Sequence, residues 1–447
     1  MSSAMTPDVL DEIETWSPDR VAELESGRLA EQLAYVSQAS GFYRKKFAEA
    51  GVDPASIRSV ADLPRLPFTE KSELRESLVE APPLGRHLAA ERTSLVQVQA
   101  TSGTTGSPSF FGLTEHDLRV WGQIGARSFY AAGFRPGDVI LHGWGLSKGF
   151  AGGVPAVRIL QQLGCCVLPI GGEAGAERLL TIASLMNPRG FCTGPNFAIH
   201  AGSVAEELLG RSAASLGVAH VVVGGEPGGG IPTVRERIES LWGATCAEMM
   251  GNSDVAPIIF SECLEQQGMH LCSQGLVHAE LIDPLTGETV PWETGATGEV
   301  VLTALDRQAS PLVRFRTRDH VEVLGTDCAC GRTGPRIRCF GRTDDMLIVR
   351  GINVWPSAVR ELVVGFQPQT TGNLRIVADF AGHSTQHRLK VRVEHAAALD
   401  AGQLAALGDD LERRITQVLA FRPQLELVPP GVLPEAGVNK TMLVERP

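Results

Sequence analysis

A short segment rich in hydroxyl groups is the first part of the sequence whose residue types could do chemistry. Residues 100–108 read Ala-Thr-Ser-Gly-Thr-Thr-Gly-Ser-Pro, so five of the nine carry a hydroxyl and two are glycine. Successive backbone N–H groups in such a loop can form a concavity that binds an anion, and the hydroxyls add donors around it. The segment therefore predicts a loop that holds a polyphosphate, while its composition also fits a flexible surface connector.

Three cysteines and one histidine form a second set with chemical potential. Cys263 and His270 are close in sequence, and Cys328 and Cys330 follow later as a Cys-x-Cys pair. Three thiolates and one imidazole suit a closed, tetrahedral zinc site of the structural kind. The Cys-x-Cys spacing is tighter than usual for such sites, and free buried thiols in a reducing compartment would account for the same residues. The sequence predicts structural zinc, with free thiols as the alternative.

The composition excludes several classes of function. The chain has 447 residues, of which 43% are hydrophobic and 20% charged, and its net charge is −11. A negative net charge argues against a nucleic-acid surface, which needs clustered lysine and arginine. No apolar run approaches the roughly 18–20 residues that span a bilayer, and the first residues do not resemble a signal peptide. Nine cysteines, an odd number, do not resemble a secreted disulfide framework, so we expect a cytoplasmic globular protein.

The elements that must position these residues alternate between strands and helices. The predicted strands include Val139–His142, Cys166–Ile170, Val221–Val223 and Thr245–Met250. Short, continuously apolar strands separated by helices indicate a buried parallel sheet, whose binding sites lie at the carboxyl ends of the strands. Three loops rich in glycine, serine or asparagine occur at those ends, at residues 143–153, 224–230 and 251–254. We expect these loops to form the walls of one site.

The texture of the sequence changes twice after the parallel strands. It first becomes rich in short strands, one of them predicted at Leu312–Phe315, and then predicts a small α+β unit. In that unit Asn373–Phe380 and His387–Glu394 alternate polar and apolar residues, as two antiparallel strands would. We therefore predict an α/β protein. Its large N-terminal domain, residues 1–342, has mainly parallel sheets plus a β-rich subdomain, and its small C-terminal domain, residues 343–447, is α+β.

Five short motifs occur in a fixed order along the chain. They are Ser-Gly-Thr-Thr-Gly-x-Pro at 102–108, Gly-Gly-Glu-Pro at 224–227, Met-Gly-Asn-Ser-Asp at 250–254, Phe-Arg-Thr-Arg-Asp at 315–319 and Gly-Arg-Thr-Asp-Asp at 341–345. Together they resemble the adenylate-forming superfamily, in its phenylacetate–CoA ligase-like branch. Leu-Pro-Phe-Thr-Glu-Lys at 66–71 adds to the likeness. The resemblance covers about residues 40 to 440, and five motifs in order are far more specific than any one alone.

The resemblance implies a reaction in two steps. In such enzymes a carboxylate attacks the α-phosphate of ATP, which gives an acyl-adenylate and pyrophosphate, and a thiol, usually of coenzyme A, then displaces AMP. The adenylate supplies the leaving group that a free carboxylate lacks. The protein's task is to position the reactants and to stabilise charge during the in-line displacement.

The resemblance also implies which residues bind the nucleotide. The implied ATP-binding residues are Ser102, Gly103, Thr104, Thr105, Gly106, Gly225, Glu226, Pro227, Asn252, Ser253, Asp319 and Arg342. The first five would cradle the β- and γ-phosphates, and Gly225–Pro227 would line the adenine slot. Ser253 would contact the α-phosphate, while Asp319 and Arg342 would hold the ribose. A plain turn at Gly225–Pro227 and a structural ion pair at Arg342 are the alternatives.

Asp254, Thr104 and Lys440 are the candidate catalytic residues. Asp254 stands where the family usually has glutamate and would bind Mg²⁺, a hard cation that prefers oxygen ligands; a turn-capping role is the alternative. The family commonly carries a lysine where this chain has Ser107, and its C-terminal Gly-Lys is represented here by Gly437-Val438-Asn439-Lys440. We predict that Lys440 is the adenylating amine, the alternative being a solvated lysine of the tail.

The remaining implied residues concern the acyl group and the lid. Trp144 and Phe150, with Gly224 beside them, match the segments that would line the acyl pocket, and an aromatic wall suits a flat aryl acid; a core tryptophan is the alternative. Asp344 matches the hinge about which a mobile C-terminal domain would swing, and Gly351 would line the pantetheine channel.

The predicted function is an AMP-forming ligase that joins an aryl or arylacetic acid to coenzyme A, using ATP and Mg²⁺. Two rivals remain open at this point. One passes the acyl group to a carrier-protein thiol, an amine or a hydroxyl, and the other is a non-catalytic nucleotide-binding relative. A homodimer also remains open.

Overall fold

A computed structural model describes residues 8–100, 109–147, 149, 151–343, 345–380, 382–434 and 443–446 of the chain. Within these ranges the α-helices are α1 (Pro18–Ala39), α2 (Gly41–Glu49), α3 (Lys71–Glu80), α4 (Glu115–Ala131), α5 (Val154–Leu163), α6 (Ala176–Met186), α7 (Pro195–Leu209), α8 (Pro232–Trp242), α9 (Pro356–Val364) and α10 (Ala401–Leu419). Short 3-10 helices lie at Glu12–Thr15, Pro54–Ser56, Val60–Arg65, Arg92–Ser94, Gly172–Ala174 and Ala213–Leu216.

The strands in the same ranges are β1 (Leu95–Ala100), β2 (Phe110–Thr114), β3 (Val139–His142), β4 (Cys166–Pro169), β5 (Gly190–Thr193), β6 (His220–Gly224), β7 (Thr245–Asn252), β8 (Ala256–Glu262), β9 (Met269–Leu271), β10 (Val277–Ile282), β11 (Thr289–Val290), β12 (Thr297–Ala304), β13 (Phe315–Gly325), β14 (Arg336–Arg342), β15 (Leu347–Val349), β16 (Ile352–Val354), β17 (Thr370–Val377), β18 (Ser384–Thr385), β19 (Lys390–His395), β20 (Gln424–Val428) and β21 (Val444–Glu445).

Capping residues set the starts of α1 and α4. The hydroxyl of Ser17 accepts a hydrogen bond from the amide of Arg20, and Pro18 occupies the first turn of α1, where its missing N–H costs nothing. At the start of α4, Thr114 and Asp117 form a reciprocal capping box. A serine before a proline, and a threonine three residues before an aspartate, are start signals that can be read in the sequence itself.

One large sheet organises most of the chain. Its twelve strands have the order β11-β10-β12-β13-β14-β9-β8-β7-β6-β5-β3-β4. The strands from β4 to β7 pair in parallel and those from β7 to β11 pair antiparallel. The sequence predicted the parallel strands and the β-rich part separately. The structure joins them in one continuous sheet, in which the pairing changes from parallel to antiparallel at β7.

Helices cover the parallel half of this sheet. One buried cluster lies around Phe191, Trp242 and the helices α6 to α8, and another lies around Phe129, Ile159 and the helices α4 and α5. Parallel strands that are covered on both faces are uniformly apolar, which is why the sequence predicted them as short hydrophobic runs.

The C-terminal unit, defined here as Leu347–Glu445, has its own sheets and its own core. Its strands form the sheets β16-β15-β18 and β20-β19-β17-β21, and β17 and β19 are antiparallel, as predicted. Its buried cluster includes Val359, Leu374 and Leu411. The predicted α/β fold class with an α+β C-terminal region is confirmed, whereas the boundary between residues 342 and 343 stays a prediction.

One predicted strand is wrong. Leu312–Phe315 is not a strand, and β13 begins at Phe315. Arg314 adopts a positive φ of 47° and turns its buried side chain inward, where it pairs with Glu280 at 2.9 Å and donates to the carbonyl of Leu66 at 2.6 Å. This bend breaks the extended geometry that the apolar pattern suggested.

Hydropathy along the helices bears on membrane insertion. Among the described residues, no helix is both long enough and apolar enough to cross a bilayer.

Candidate active site and metal centre

The three glycine-rich loops of the sequence prediction lie at the same edge of the large sheet. Each follows a parallel strand, β3, β6 or β7, and these strands are held in register through β5. The indole Nε1 of Trp144, in the first loop, donates to the carbonyl of Gly224, in the second, at 3.2 Å. The structure therefore brings these loops together, as predicted.

His142 holds the loop that follows β3 in place through a hydrogen bond to its far end. It is fully buried at the end of β3, and its Nε2 lies 3.0 Å from the carbonyl oxygen of Gly152. Burial lowers the pKa of His142 to about 4, so the ring is neutral at physiological pH and donates this hydrogen bond from Nε2. The bond ties the far end of the loop back to the strand from which it leaves.

Trp144 forms part of the wall between the first two loops. Its side chain is buried, packs against Phe129 at a centroid distance of 6.4 Å and belongs to the core cluster beneath α4 and α5. The indole therefore packs in the core while its N–H holds Gly224 at the predicted site, and its part in an acyl pocket stays a prediction.

The loop after β6 requires glycine at its first two positions. A Cβ on Gly224 would lie 2.7 Å from the carbonyl oxygen of Met249, and Gly225 has a positive φ of 91°. Glu226 then points toward α9, where its Oε2 lies 3.7 Å from Nη1 of Arg360, and Pro227 is half-buried. The predicted adenine loop thus has a tight, glycine-dependent backbone.

The turn between β7 and β8 carries the next predicted residues. The side-chain oxygen of Asn252 accepts a hydrogen bond from the amide of Asp254 at 3.1 Å, and Ser253 lies between them. Trp121 of α4 donates to the carbonyl of Val255 at 2.8 Å and so holds the end of the turn.

Asp254 has a partner that the sequence analysis did not assign. Both of its carboxylate oxygens lie 2.6 Å from Nζ of Lys71, and the two side chains are 13% and 24% exposed. An ammonium ion at this distance neutralises the carboxylate. Lys71 occurs in the motif quoted at 66–71, but its contact is 183 positions away in sequence, beyond any local pattern.

The segment that carries Lys71 is bound to the first residues of β13. Thr69 makes an isolated parallel bridge with Phe315, and the carboxylate of Glu70 pairs with Arg318 at 2.6 Å. Arg318 has a positive φ of 66°, a conformation that non-glycine residues adopt where surrounding contacts hold them. Lys71 is therefore positioned by the same strand that carries the predicted ribose-binding residue.

Asp319 and Arg342 are directly opposite each other on β13 and β14. The amide of Asp319 donates to the hydroxyl of Thr317 at 3.0 Å, and Nη1 of Arg342 donates to the carbonyl of Thr317 at 3.1 Å. Asn252, Thr317 and Asp319 line one small pocket. The structure thus brings the predicted ribose-binding pair and the β7–β8 turn to the same place.

Several predicted residues lie outside the described part of the chain. They are Ser102, Gly103, Thr104, Thr105, Gly106, Phe150, Asp344 and Lys440. The strands that flank the first five form an antiparallel pair in which Ala100 is opposite Phe110, and the amide of Ala100 donates to the carbonyl of Gly149 at 2.9 Å. The two ends of the predicted phosphate loop therefore lie beside the loop that carries Trp144.

The four predicted zinc ligands form a compact cluster away from these loops. The ligand atoms of Cys263, His270, Cys328 and Cys330 all lie within 4.8 Å of one another. Cys263 follows β8, His270 is on β9, and the other two lie between β13 and β14. Pairing of β9 with β14 and of β8 with β9 brings these distant segments together.

Two distances in the cluster match those around a tetrahedral zinc ion. Sulfur atoms at Zn–S bond lengths of about 2.3 Å would be about 3.8 Å apart, and a sulfur and an imidazole nitrogen about 3.6 Å apart. Cys263 Sγ and Cys328 Sγ are 3.8 Å apart, and Cys330 Sγ is 3.6 Å from Nε2 of His270. His270 Nδ1 donates to the carbonyl of Gly334 at 3.2 Å, which leaves Nε2 free to ligate. The hydrogen bond with Cys263 and the nearby His270 lower the pKa of Cys330, which favours its thiolate form.

Comparison with known proteins gives the family. Residues 351–445 match the model of the AMP-binding enzyme C-terminal domain. The chain is 34% identical to a phenylacetate-coenzyme A ligase of Thermus thermophilus, over 96% of this chain and 97% of the relative. It is 32% identical to a phenylacetate-coenzyme A ligase of Escherichia coli, over 96% of this chain and 95% of that protein. The chain belongs to the phenylacetate–CoA ligase-like branch of the adenylate-forming superfamily. It is accordingly an ATP-dependent, AMP-forming ligase, as the sequence predicted.

Solved structures of one relative show two arrangements of this fold. This ligase superposes on 2-hydroxyisobutyryl-CoA ligase in its postadenylation state, in complex with 2-HIB-AMP, with a TM-score of 0.89 at 29% identity, over 98% of this chain and 91% of the other. In the thioesterification state, in complex with 2-HIB-AMP and CoA, the same relative gives a TM-score of 0.72 at 30% identity, over 97% and 91%. This ligase is therefore more similar to the first arrangement than to the second.

Proposed function

We propose that this ligase adenylates an aromatic carboxylic acid, either aryl or arylacetic, and transfers the acyl group to coenzyme A. The observation that carries the proposal is the convergence of four separate segments on one sheet edge: the loop of Trp144, the loop of Gly224, the turn at Asp254 and the strand of Asp319. A nucleotide, an acid and a thiol need such a shared edge, because both reaction steps occur at one carboxyl carbon.

The proposed roles of the nucleotide-binding residues follow from their positions. Gly225–Pro227 would line the adenine, and Asp319 would accept hydrogen bonds from the ribose hydroxyls, with Arg342 held beside it through Thr317. Ser253 would contact the α-phosphate. The loop Ser102–Gly106 would hold the β- and γ-phosphates, since both of its ends lie at this edge.

Charge stabilisation would come from two amines. The carboxylate oxygen of the acid attacks the α-phosphorus and pyrophosphate leaves, so negative charge develops on the phosphoryl oxygens. Lys71 lies next to the turn that carries Ser253 and is held there by Asp254. Lys440 would supply a second positive charge for adenylation. The thiol of coenzyme A then attacks the acyl carbon, and AMP leaves with the bonding electrons.

Asp254 would also take part in binding Mg²⁺. A carboxylate has about four lone-pair sites, and Lys71 occupies two of them, so oxygen sites remain. Mg²⁺ commonly uses one or two carboxylates together with substrate phosphates. When bound, the ion would offset the charge of the triphosphate, and Asp254 would be a single protein ligand rather than part of a closed cage.

The cysteine–histidine cluster would hold structural zinc. Three sulfur ligands and one imidazole leave no open position for a substrate, and the cluster ties two hairpins of the antiparallel half-sheet together. Zinc there would contribute to folding and would take no part in the reaction.

The identity of the acid rests on the two kinds of relative. Both curated relatives named above are phenylacetate-coenzyme A ligases, whereas the structural relative acts on 2-hydroxyisobutyryl groups. The aromatic wall around Trp144, with Phe129 behind it, favours a flat acid.

Pyrophosphate exchange tests the acid directly. ATP–pyrophosphate exchange would be measured with phenylacetate, benzoate, 2-hydroxyisobutyrate and acetate at equal concentrations. We expect kcat/KM for an aromatic acid to exceed that for 2-hydroxyisobutyrate by at least about tenfold, which corresponds to about 1.4 kcal/mol of differential binding. A preference for the branched hydroxy acid would reject the aromatic proposal while leaving adenylation intact.

A second assay tests the acceptor. With the best acid and ATP present, coenzyme A should give acyl-CoA and stoichiometric AMP. Formation of the adenylate without acyl-CoA would reject coenzyme A as the acceptor and favour a carrier-protein thiol, an amine or a hydroxyl. ATP binding without exchange for any acid would indicate a non-catalytic relative.

A further inference from the structure

A single arginine of the C-terminal unit reaches across to the predicted adenine loop. Arg360, on α9, donates from Nη2 to the side-chain oxygen of Asn196 at 2.6 Å, at the start of α7. Its Nη1 lies 3.7 Å from Oε2 of Glu226, in the loop after β6. The guanidinium of Arg360 therefore makes a hydrogen bond to Asn196 and an ion pair with Glu226, which lie on two neighbouring segments at the edge of the large sheet.

The contact is shielded from water. The side chains of Arg360 and Glu226 are 11% and 6% exposed. Opposite charges attract more strongly where water is displaced, and the planar guanidinium can satisfy an amide oxygen and a carboxylate at once. Both groups would recover their hydration if the C-terminal unit moved away, so this contact depends strongly on the arrangement of the two parts.

Another hydrogen bond joins α9 to the large sheet: the hydroxyl of Ser357 donates to the carbonyl of Phe340, on β14 close to the predicted boundary. The contacts of Val364 and Trp355 are less directional. Val364, one turn along α9, belongs to the buried cluster of the parallel half-sheet. The indole of Trp355 stacks on the imidazole of His320, with ring centroids 4.9 Å apart and an interplanar angle of 21°. Apolar and stacked surfaces tolerate small displacements, whereas a hydrogen bond weakens steeply with distance and angle. Arg360 is therefore the directional contact on the side of the adenine loop, whereas Ser357 contacts the strand next to the boundary.

The docked position is more similar to the relative's postadenylation state than to its thioesterification state. As described above, the relative's postadenylation state gives a TM-score of 0.89, and its thioesterification state gives 0.72. Since identity and coverage are nearly equal in the two comparisons, the difference lies in how the parts are arranged.

We propose that Arg360 is a positioning residue that latches the C-terminal unit onto Asn196 and Glu226 for adenylation and that must release before acyl transfer to the thiol. The inference rests on the proposed two-step function. It makes the adenine loop part of the latch, so that the same loop would bind the nucleotide and hold the lid.

The two half-reactions separate this role from a general structural one. Arg360→Ala should lower the rate of ATP–pyrophosphate exchange by at least about tenfold, because a hydrogen bond to a charged group commonly contributes that much to an equilibrium. The rate of thioester formation from supplied acyl-adenylate should stay the same or rise. Equal losses in both half-reactions, or unchanged exchange, would overturn the proposal.

Matched variants control for charge and fold. Arg413→Ala removes the same charge from the same unit, but Arg413 is an exposed residue of α10 paired with Asp410, so both half-reactions should stay at wild-type rates. Arg360→Lys should recover part of the exchange rate, since the ammonium can still reach one acceptor. Asn196→Ala combined with Arg360→Ala should lose no more than Arg360→Ala alone; additive losses would contradict a shared contact.

A measurement that needs no catalytic turnover tests whether Arg360 holds the C-terminal unit, independently of the reaction. Hydrogen exchange of backbone amides in residues 224–230 and 356–364 should become faster by at least about fivefold in Arg360→Ala and remain unchanged in Arg413→Ala. No change in either segment would overturn the latch. If the wild-type protein shows no ATP–pyrophosphate exchange with any of the acids, the proposed function fails. Hydrogen exchange of the backbone amides then decides alone whether Arg360 holds the C-terminal unit.

Discussion

Lys71 and Asp254 form an ion pair at the centre of the proposed site, and each changes what the other can do. Both carboxylate oxygens are 2.6 Å from the ammonium, so Mg²⁺ and Lys71 would compete for the same charge. The predicted phosphate loop has serine at position 107, where the family resemblance led us to expect lysine. Lys71 is therefore the described cation best placed to stabilise the phosphoryl group.

Replacing Lys71 tests this role at the level of one side chain. Lys71→Met keeps much of the apolar stem and removes the charge. We expect the adenylation rate at saturating Mg²⁺ to fall by about tenfold or more, and the Mg²⁺ concentration for half-maximal rate to fall as well, because Asp254 loses its competing cation. Steady-state exchange across a Mg²⁺ titration measures both.

The control for this substitution is Lys45→Met, which removes an exposed lysine paired with Glu49 on α2. It should change neither quantity. A Lys71→Met protein with wild-type exchange at every Mg²⁺ concentration would remove Lys71 from the proposed mechanism.

His87 predicts how the stability depends on pH. It is buried, and burial lowers its pKa to about 4. The hydroxyl of Ser77 accepts hydrogen bonds from the amides of Arg86 and His87, so its own proton is donated to Nδ1 of His87, 3.0 Å away. The ring is therefore held in its neutral form.

Because the folded pKa lies below the unfolded value of about 6.5, the unfolded chain binds more protons between pH 4 and 6.5. The free energy of unfolding should fall as pH falls through this window, by about 2 kcal/mol from this group at pH 5. His87→Gln should reduce the loss between pH 7 and pH 5 by that amount in urea titrations. His383→Gln, at an exposed histidine, should leave the pH dependence unchanged, and equal slopes for all three proteins would contradict the assignment.

At this scale the sequence predicted residue types better than residue contacts. The four cysteine–histidine positions were found from their chemistry alone, and they lie together. Lys71 and Arg360 were not assigned, because their partners are far away in sequence. Asp254 is 183 positions from Lys71, and Asn196 is 164 positions from Arg360. Such contacts depend on which strands become neighbours, and no local pattern contains that information.

At the scale of elements, the cysteine–histidine cluster joins two hairpins of the antiparallel half-sheet. It connects the end of β8, the strand β9 and the loop between β13 and β14. The register between β9 and β14 involves only two residue pairs, Arg336 with His270 and Ile337 with Met269. A metal ion would strengthen a junction that has few backbone hydrogen bonds.

Removing the metal should loosen this junction. Freshly purified protein should contain about one zinc per chain, and Cys330→Ser should lower both zinc content and Tm, the latter by roughly 5 °C or more. Cys166→Ser, at an exposed cysteine on β4, should change neither. Less than about 0.2 zinc per chain in the wild-type protein would favour free thiols.

Local signals determined which elements were predictable. Helix starts followed from Ser17-Pro18 and from the Thr114–Asp117 capping box, because caps act within one turn. Leu312–Phe315 was predicted wrongly because Arg314 bends the chain to reach Glu280 and Leu66. The continuity of the sheet from β7 into β8 was not predicted either, since an antiparallel neighbour leaves no mark on the apolar pattern of β7.

At the scale of the whole molecule, two regions have separate cores. The buried cluster of the C-terminal unit is drawn entirely from its own residues, whereas Val364 of α9 joins a cluster of the N-terminal part. The unit is of ordinary domain size at about 100 residues, so most of its stabilisation is internal and its docking depends on few side chains.

Fragments divided at the predicted boundary test this organisation. Residues 343–447 expressed alone should fold cooperatively, with dispersed amide resonances, because their core is complete. The intact protein should show two calorimetric transitions, and Arg360→Ala should bring the lower one closer to that of the isolated fragment. A fragment that is unfolded in isolation would place the boundary elsewhere.

The width of the large sheet has a consequence for behaviour in a crowded solution. Among the described residues, the twelve strands of this sheet have two outer edges, β11 and β4. β11 has two residues, and β4 has four and ends in Pro169, which has no N–H to donate. The unpaired backbone groups of an exposed edge can pair with strands of other molecules, and very short edge strands limit such pairing. This broad sheet ends in two short edges and therefore has few unpaired backbone N–H and C=O groups. We expect it to resist fibril formation at protein concentrations where a long, unprotected edge strand would start it.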